Sequence, residues 1–420
     1  GTTLKAIVMA GGEGSRLRPL TVQRPKPMVP VANRPMMEHI VELLRRHSFT
    51  EVRATLYYLG DDIRNHFGDG SDFGIHISYS MEETPMGTAG SVKLCEEFVG
   101  DGTFLVISGD ALTDIDLSAA VAFHRERGAL ATLVLARLEN PLEYGIVVTN
   151  DDGRIVRFLE KPSWGEVFSD TVNSGIYILE PEVLRAIERG RPTDFSQDVF
   201  PALLKKGAPL YGYVAGGYWC DIGHLGAYRQ AHEDLLRGLV QVELPGRKLP
   251  GDIWVGRDTQ IDPSAEIRGP VIIGDNCRIG PGARVLGYTV LGNNAIVHEQ
   301  ATIQRSIVWN NAYIGRGAMV SGAIVGEHAA VGHGCVVGDG AVLGDRTVLR
   351  QGSQVAPQVK LWPNKVVEAG ARVTMSLIWG STWHEALFRE RGVSGLTNVE
   401  ITPELAVRLG AAFGTALEKG

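Results

Sequence analysis

The stretch that decides the fold is residues 271–285, VIIGDNCRIGPGARV, in which an aliphatic residue returns every six positions. Glycine often follows that aliphatic residue, and a small residue usually occupies the fifth place of the hexad. Such a hexad predicts one short strand and a turn, with the aliphatic side chain inside a narrow prism. Three hexads would complete each coil, so the pattern predicts a left-handed parallel β-helix.

The repeat extends well beyond this stretch in both directions. An aliphatic residue recurs every six positions from Val255 to Ile303, and we expect Trp309 to occupy the next such position. After two shifts of one residue each, the repeat resumes at Ile314 and continues to Leu349. We therefore assign residues 253–380 to the β-helix and residues 236–252 to a linker. Residues 381–420 no longer follow the hexad.

Residues 1–235 alternate strand-like apolar runs with amphipathic helical patterns. The clearest strands are KAIVMA, EVRATLYYL, GTFLVISGD, LATLVLARL and VNSGIYIL, and PMMEHIVELLRRHS between the first two reads as a helix. This alternation is typical of an α/β domain with a mixed, mostly parallel sheet.

Composition excludes several classes of function. The 420-residue chain carries a formal net charge of -7, which argues against a nucleic-acid binder because such proteins need a basic surface. No apolar run is long enough to span a bilayer, so we expect no membrane partner. The chain starts with GTTLKAIVMA rather than a leader sequence, and its four cysteines are widely spaced. We expect buried thiols and a cytoplasmic protein.

The first predicted strand is followed by GGEGSRLRPLTVQRPKP, residues 11–27. A glycine turn lets an anion approach bare backbone N–H groups, and Arg16 and Lys26 add two cations. Pro25 and Pro27 restrict the backbone on both sides of Lys26. The loop matches neither a P-loop nor a dinucleotide fingerprint, and a solvated surface turn is the alternative. The whole group favours a triphosphate site.

Two aspartates stand where a metal would complete such a site. Asp110 ends the strand GTFLVISGD, and Asp221 follows GYWC. Ligands of parallel sheets bind beyond the carboxyl ends of strands, where Asp110 and the glycine loop both lie. If the two carboxylates converge, they predict a Mg²⁺ site for phosphoryl or nucleotidyl transfer, although either could be a helix cap or turn residue.

These motifs together resemble the sugar-1-phosphate nucleotidylyltransferases. GGEGSRLRPLT, RPKPMVPV, ETPMGTAG, GD, EYGIV, FLEKP, VNSGIYIL and GYWCDIG follow the order of that family's motifs. The resemblance implies a Rossmann-like nucleotidyltransferase domain, and with the β-helix behind it the chain is most similar to the mannose-1-phosphate guanylyltransferase type. Residues 381–420 resemble the start of a phosphohexomutase domain, except that Ser394 stands where that domain has an arginine. This arrangement is similar to a bacterial subgroup of the family in which the nucleotidyltransferase and β-helix domains are fused to a phosphomannomutase-like domain.

The resemblance also implies roles for individual residues. It implies that the catalytic residues are Arg16, Lys26, Asp110, Lys161 and Asp221, and that Asp110 and Asp221 hold the metal. Nucleotide binding falls to Gly11, Gly12, Gly14, Ser15, Glu82, Gly87 and Thr88. Binding of the sugar phosphate falls to Tyr144, Gly145, Glu160, Lys161 and Asn173.

The identity of the base rests on Glu82, which stands where uridylyl- and thymidylyltransferases commonly carry glutamine. A carboxylate only accepts hydrogen bonds, and guanine offers two adjacent donors, so Glu82 favours GTP and hence mannose 1-phosphate. Met81 and Thr84 depart from the guanylyl pattern. Glucose 1-phosphate with UTP or dTTP therefore remains the alternative.

Two rival functions belong to other classes. A hexapeptide-repeat acyltransferase would use a histidine base, for which the candidates are His298, His328 and His333. A non-catalytic regulatory subunit would sense a nucleotide sugar without turnover. In each case we expect the β-helix to mediate homo-oligomerisation, because its flat faces and open end require cover.

Overall fold

The computed structural model describes residues 3–138, 145–159 and 171–377. The N-terminal domain contains thirteen strands within these residues. In chain order they are β1 Lys5–Met9, β2 Pro30–Val31, β3 Arg34–Pro35, β4 Glu51–Leu56, β5 His76–Met81, β6 Phe104–Ser108, β7 Ala111–Thr113, β8 Ala131–Arg137, β9 Ile146–Thr149, β10 Ile155–Leu159, β11 Thr171–Leu179, β12 Leu210–Val214 and β13 Trp219–Asp221.

The main sheet is mixed, as expected. Its path is β10-β9-β11-β6-β1-β4-β5, and β8 joins β11 to β12. The strands β6, β1, β4 and β5 are parallel, whereas β11 runs antiparallel to β6, β8 and β9. Met9 at the end of β1 pairs with Ser108 at the end of β6. The loops that follow these two strands therefore leave the sheet at the same edge.

Helices cover both faces of this sheet. They are α1 Met36–Arg46, α2 Gly60–Phe67, α3 Gly87–Lys93, α4 Glu96–Val99, α5 Leu117–Arg127, α6 Glu182–Arg185, α7 Phe200–Lys205 and α8 Leu225–Leu236. The predicted helix between the first two long strands is α1, and its apolar residues Met37, Ile40, Val41 and Leu44 are fully buried against the sheet. Amphipathic spacing thus places α1 on the core as the sequence indicates.

The C-terminal domain is a parallel β-helix with three faces. The first face contains β14 Arg247–Leu249, β15 Ile253–Val255, β18 Val271–Ile273, β21 Thr289–Leu291, β24 Ile307–Val308, β27 Ile324–Val325, β30 Val342–Leu343 and β33 Lys360–Leu361. The second contains β16 Gln260–Ile261, β19 Arg278–Ile279, β22 Ile296–Val297, β25 Tyr313–Ile314, β28 Ala330–Val331, β31 Val348–Leu349 and β34 Val366–Val367. The third contains β17 Glu266–Ile267, β20 Arg284–Val285, β23 Thr302–Gln304, β26 Met319–Ser321, β29 Val336–Val337, β32 Gln354–Val355 and β35 Arg372–Val373.

The two slips in the repeat are real, but the first falls earlier than the hexad pattern suggests. Ile303 and Val308 both point into the prism and are fully buried there. The step between them is five residues, so the aliphatic phase passes through Val308. Trp309, which we expected to keep that phase, instead faces outward and packs against the N-terminal domain. The short turn moves the register by one residue, which exchanges the inward and outward side chains.

The segment between the domains is more ordered than a simple linker. Helix α8 ends at Leu236, and β14 pairs antiparallel with β15 as an extra strand on the first face of the β-helix. Outward-facing aliphatic residues of this face, among them Ile272, Val290 and Ile324, are buried together with Tyr228 of α8. One of the three faces is therefore covered by the N-terminal domain.

Two predictions from composition can be compared with the structure. Cys95, Cys277 and Cys335 are buried free thiols as expected, whereas Cys220 is a half-buried free thiol. No helix in the described part of the chain combines the length and apolarity needed to cross a membrane. The mutase-like residues 381–420 lie outside the described residues.

A buried histidine pair lies where α1 and α8 meet the loop before α1. The backbone N–H of Ala32 donates to Nε2 of His232 over 3.1 Å, and Nδ1 of His232 donates to the carbonyl of Tyr228 over 3.0 Å. Nε2 of His39 donates to the carbonyl of Val31 over 2.8 Å. Burial lowers the pKa of both imidazoles to about 4. The folded protein therefore holds both rings in the neutral form at neutral pH.

We predict that this pair makes the protein sensitive to acid. Since their pKa is lowered from 6.5, the stabilising contribution is complete above pH 6.5 and declines as the pH falls towards 4. Thermal melting should show His232→Gln losing less stability between pH 7 and 5 than the wild type. The exposed His76→Gln is the matched control. An unchanged slope in His232→Gln would contradict this assignment.

Candidate active site

A cavity of about 390 Å³ opens at the carboxyl ends of β1 and β6. Residues from both ends of the N-terminal domain sequence meet there. Its lining comprises Lys26, Ser108, Asp110, Ala111, Gly145, Ile146, Val147, Phe158, Leu159, Asn173, Ser174, Gly175, Tyr177, Ser196, Trp219 and Asp221. Five residues that the sequence analysis selected, namely Lys26, Asp110, Gly145, Asn173 and Asp221, are therefore brought together.

The glycine-rich loop after β1 folds back on the segment that carries Lys26. Gly14 has a left-handed backbone with φ of 69°, and a Cβ there would lie 2.9 Å from Cγ2 of Thr21 and 3.0 Å from Cβ of Lys26. The hydroxyl of Thr21 donates to the carbonyl of Gly14 over 2.6 Å. Glycine is needed at this position because any side chain would push the loop away from Lys26. At Gly12, by contrast, a Cβ would meet nothing within 4 Å.

Arg16 lies on a short 3₁₀ turn, Ser15–Leu17, directly after this loop. It is exposed, and its guanidinium extends over Gly223, where a Cβ would be 2.8 Å from Nη2 of Arg16. The same position is 3.4 Å from Oδ2 of Asp221. Arg16 thus presents a cation at the open side of the site, next to the Asp221 carboxylate.

Lys26 and Asp110 form an ion pair at the inner side of the site. Nζ of Lys26 lies 2.9 Å from Oδ2 of Asp110, and Lys26 is only 9% exposed. Burial opposes the charge on Lys26, but the carboxylates of Asp110 and Asp221 outweigh it and raise the pKa of the amine. Lys26 is therefore a fixed positive charge at neutral pH.

Asp221 reaches the same place from the other end of the domain. Its strand β13 pairs with β7, and Asp221 lies opposite Ala111, the residue after Asp110. Burial raises the pKa of Asp221, and the charge of Asp110 raises it further, against the opposing effect of Lys26 and Arg16. Two carboxylates in one cavity repel one another, so a cation between them would be stabilised.

This donor set fits a magnesium ion. Mg²⁺ in phosphoryl-transfer sites is bound by one or two carboxylates, with water and phosphate oxygens as its other ligands. Among the described residues no cluster of three or more carboxylate, histidine or cysteine groups could hold a metal by itself. The protein would accordingly supply Asp110 and Asp221 and leave the remaining positions to substrate and solvent.

A β-bulge directs Asn173 into the cavity. The register of β11 against β8 shifts between Asn173 and Ile176, and Gly175 there has φ of 80°. The amide of Asn173 donates to the hydroxyls of Tyr177 and Ser196, each over 3.0 Å, while its Oδ1 accepts from the N–H of Gly175. Bulges commonly reorient a side chain in this way next to a ligand site.

Ser108, Tyr177, Ser196 and Trp219 are among the lining residues that the sequence analysis did not select. Ser108 and Trp219 lie within the stretches GTFLVISGD and GYWCDIG, two residues before Asp110 and Asp221, and alternation along a strand could have indicated them. Tyr177 and Ser196 enter through their hydrogen bonds to Asn173, and no motif in the sequence marks Ser196.

The ETPMGTAG segment and Glu82, which precedes it, lie outside this cavity and form hydrogen bonds within the protein. Glu82 is 7% exposed, and its carboxylate accepts from the N–H of Met86 over 3.1 Å and from the hydroxyl of Ser91 over 2.7 Å. The N–H of Thr88 donates to Oδ1 of Asp194 over 3.1 Å. A Cβ on Gly87 would lie 2.5 Å from the carbonyl of Thr193, so this segment needs glycine for close backbone packing.

The remaining candidates fall in other places. Gly11 and Gly12 in the glycine-rich loop, and Ser15 at the start of the 3₁₀ turn, do not line the cavity. Tyr144, Glu160 and Lys161 lie outside the described residues. His298 and His333 lie on the outer surface of the β-helix on either side of Tyr313, with their ring centres 6.4 Å apart, and His328 is exposed beside Glu327.

Comparisons with known families agree with both domains. Residues 5–238 match the family described as Nucleotidyl transferase. Residues 250–355 match the EIF2B subunit epsilon LbH domain, a left-handed β-helix, which supports the fold inferred from the hexads.

Similar proteins carry names from that family. A Synechocystis protein named UTP--glucose-1-phosphate uridylyltransferase is 40% identical over 60% of this chain and 69% of its own length. A Mycobacterium tuberculosis protein named Mannose-1-phosphate guanylyltransferase is 35% identical over 62% of this chain and 77% of its own.

A solved structure shows the same fold. A Bacillus anthracis protein assigned as a glucose-1-phosphate thymidylyltransferase superposes with a TM-score of 0.51 and 27% identity, over 57% of this chain and 98% of that one. Since the family match spans more than half of the chain, and the first two relatives are each covered over more than two thirds of their length, the chain belongs to the nucleotidyl transferase family.

Proposed function

We propose that the protein joins a nucleoside triphosphate to a sugar 1-phosphate with release of pyrophosphate, and that it prefers GTP and mannose 1-phosphate. The observation that carries the proposal is the meeting of Lys26, Asp110 and Asp221 in one cavity, with Arg16 beside it. Two cations and two carboxylates are what a reaction between two phosphorylated substrates requires.

The reaction needs positioning and charge rather than a protein nucleophile. A phosphate oxygen of the sugar phosphate attacks the α-phosphorus of the triphosphate, and the bond to the leaving pyrophosphate breaks. Arg16, on the exposed side, would bind the β- and γ-phosphates, and Lys26, on the inner side, would hold phosphate oxygens near the reacting centre. Asp110 and Asp221 would hold Mg²⁺, which when bound neutralises charge on the phosphate oxygens.

Another group of residues that line the cavity suits a sugar. Asn173, Tyr177 and Ser196 form a connected group of amide and hydroxyl atoms that can both donate and accept hydrogen bonds. Gly145 adds a backbone group beside them. Lys161, Glu160 and Tyr144 are proposed from their motifs to complete binding of the sugar phosphate.

The proposed preference for GTP over other triphosphates rests on the names of similar proteins and on Glu82. Relatives from Mycobacterium, Aspergillus and Xenopus are named mannose-1-phosphate guanylyl- or guanyltransferases. The Synechocystis relative, at 40% identity, favours UTP and glucose 1-phosphate as the second candidate. The buried carboxylate of Glu82 already bonds to Met86 and Ser91, so any contact with the base would use its remaining lone pairs.

We also propose that the chain self-associates through its β-helix. Its first face is covered by the N-terminal domain, whereas Ile296, Met319 and Val336 on the other two faces are 39%, 49% and 41% exposed. Met319 and Val336 are paired on neighbouring strands of the third face, and contiguous exposed apolar side chains are typical of a contact surface.

A pyrophosphate-release assay tests the reaction. It should combine ATP, GTP, UTP and dTTP with the 1-phosphates of mannose, glucose and N-acetylglucosamine, and GTP with mannose 1-phosphate should give the highest kcat/KM. Highest activity with UTP and glucose 1-phosphate would select the second candidate. No release with any pair would overturn the proposal, and tight binding of GDP-mannose without release would support a regulatory subunit. Parallel mixtures with acetyl-CoA and a hexosamine phosphate test acyl transfer.

Removing the inner cation should impair the reaction strongly. Lys26→Met keeps much of the aliphatic chain but loses the charge opposite Asp110, so we expect kcat/KM to fall roughly 10²- to 10³-fold. Lys206→Met, on an exposed lysine after α7, should leave the activity unchanged. A loss of less than about threefold in a folded Lys26→Met protein would contradict the role assigned to Lys26.

The raised pKa of Asp221 should appear in the pH dependence. Because burial and Asp110 raise this pKa, the carboxylate takes up a proton at a higher pH than an ordinary aspartate, and activity should fall as the pH drops through that value. Mg²⁺ competes with this proton, so higher Mg²⁺ concentrations should move the acidic limb of kcat/KM to lower pH. A limb that does not move with Mg²⁺, or activity retained in excess EDTA, would argue against the metal site.

A further inference from the structure

Arg24 lies two residues before Lys26 and reaches into the β-helix. Its Nη2 donates to Oδ2 of Asp345 over 2.8 Å, and its guanidinium carbon lies 4.5 Å from the centre of the Trp309 ring. Nη1 donates to the carbonyl of Leu20 over 3.1 Å, within the same loop. Nη2 of Arg24 also lies 3.8 Å from Oε2 of Glu327. With its side chain only 15% exposed, Arg24 links the loop of the active site to three residues of the other domain, Trp309, Glu327 and Asp345.

The partner carboxylate is part of the β-helix framework. Asp345 is 4% exposed, and while its Oδ2 binds Arg24, its Oδ1 accepts from the N–H of Glu327 over 2.9 Å. Asp275, four coils away towards the N-terminus of the β-helix, accepts the equivalent bond from the N–H of Arg257 over 2.8 Å. Asp345 therefore makes the hydrogen bond between coils that Asp275 also makes, and in addition it binds Arg24. A charge-assisted hydrogen bond with little access to water is stronger than the same bond at the surface.

The chain is also held by the β-helix on the other side of Lys26. Nε1 of Trp309 donates to the hydroxyl of Tyr228 over 3.0 Å, and that hydroxyl donates to the carbonyl of Pro30. The amide of Asn33 donates to the carbonyl of Leu291 over 2.8 Å. Links to the second domain thus bracket Lys26: they are direct at Arg24 before it and at Asn33 after it, and they reach Pro30 through Tyr228 of α8.

We propose that Arg24 is a positioning residue, through which the β-helix holds Lys26 in its place opposite Asp110. Pro25 and Pro27 restrict the backbone on both sides of Lys26. Because the segment between Arg24 and Lys26 is therefore stiff, a displacement of Arg24 also displaces the amine of Lys26. The effect on catalysis rests on the proposed function. Misplacement of a catalytic group by about 1 Å can slow a reaction about 10²-fold.

The test is a double-mutant cycle with Arg24→Gln, Asp345→Asn and both changes together. Asp345→Asn preserves the acceptor for the N–H of Glu327 but removes the carboxylate that Arg24 binds at 2.8 Å, leaving the more distant carboxylate of Glu327 at 3.8 Å. We expect each single variant to lower kcat at least about tenfold with little change in KM for the triphosphate, and the double variant to be no slower than Arg24→Gln. Asp275→Asn, which has the same role in its own coil but lies away from Arg24, should keep wild-type kcat.

A second measurement distinguishes a loss of positioning in this loop from a general loss of stability, and it does not depend on the proposed reaction. Hydrogen exchange of the amides in residues 20–33 should accelerate in Arg24→Gln and Asp345→Asn but not in Asp275→Asn. Arg24→Lys, which keeps the charge without the planar fork, should recover part of the lost kcat.

Three outcomes would overturn the proposal: unchanged kcat in folded Arg24→Gln, additive losses in the double variant, or unchanged exchange in residues 20–33. If the wild type releases no pyrophosphate, the proposed function fails, while the exchange comparison still decides whether Arg24 holds this loop.

Discussion

The ion pair between Lys26 and Asp110 is the contact on which the candidate active site depends. It joins the loop after β1 to the loop after β6, and it exists because these parallel strands are neighbours and end at the same edge of the sheet. Burial would ordinarily discharge an isolated amine or raise the pKa of a carboxyl group. Here the carboxylates of Asp110 and Asp221 outweigh the effect of burial on Lys26 and raise the pKa of its amine. The site therefore holds alternating charges close together before any substrate arrives.

The two domains are connected by more than a linker. The first face of the β-helix buries its outward aliphatic residues against α8, and a five-residue turn brings Trp309 to that same face. Trp309 then contacts Arg24 and Tyr228, which both act on the segment around Lys26. A repeat that looks like a separate scaffold is thus continuous with the support of the active site.

Much of this architecture could be predicted from the sequence because it depends on local periodicity. The hexads identify the β-helix, since one aliphatic position in six can be satisfied only by a narrow coil. The alternation of strand and helix patterns identifies the α/β domain, and α1 buries the face that its spacing predicts. Motif order was also sufficient to select Lys26, Asp110 and Asn173, which the structure brings into one cavity.

Other features depend on contacts between residues that are far apart in the chain, which no local sequence pattern indicates. The sequence by itself determined the two folds, the family and the charged residues of the site, because periodicity and motif order are properties of neighbouring residues. Only the tertiary structure decided that Ser196 joins Asn173, that Glu82 is bonded to Met86 and Ser91, and that Trp309 faces outward. It also decided that Arg24 meets Asp345, 321 positions away in the chain. These outcomes follow from how two packed domains bring distant side chains within hydrogen-bonding range, which depends on the whole fold at once.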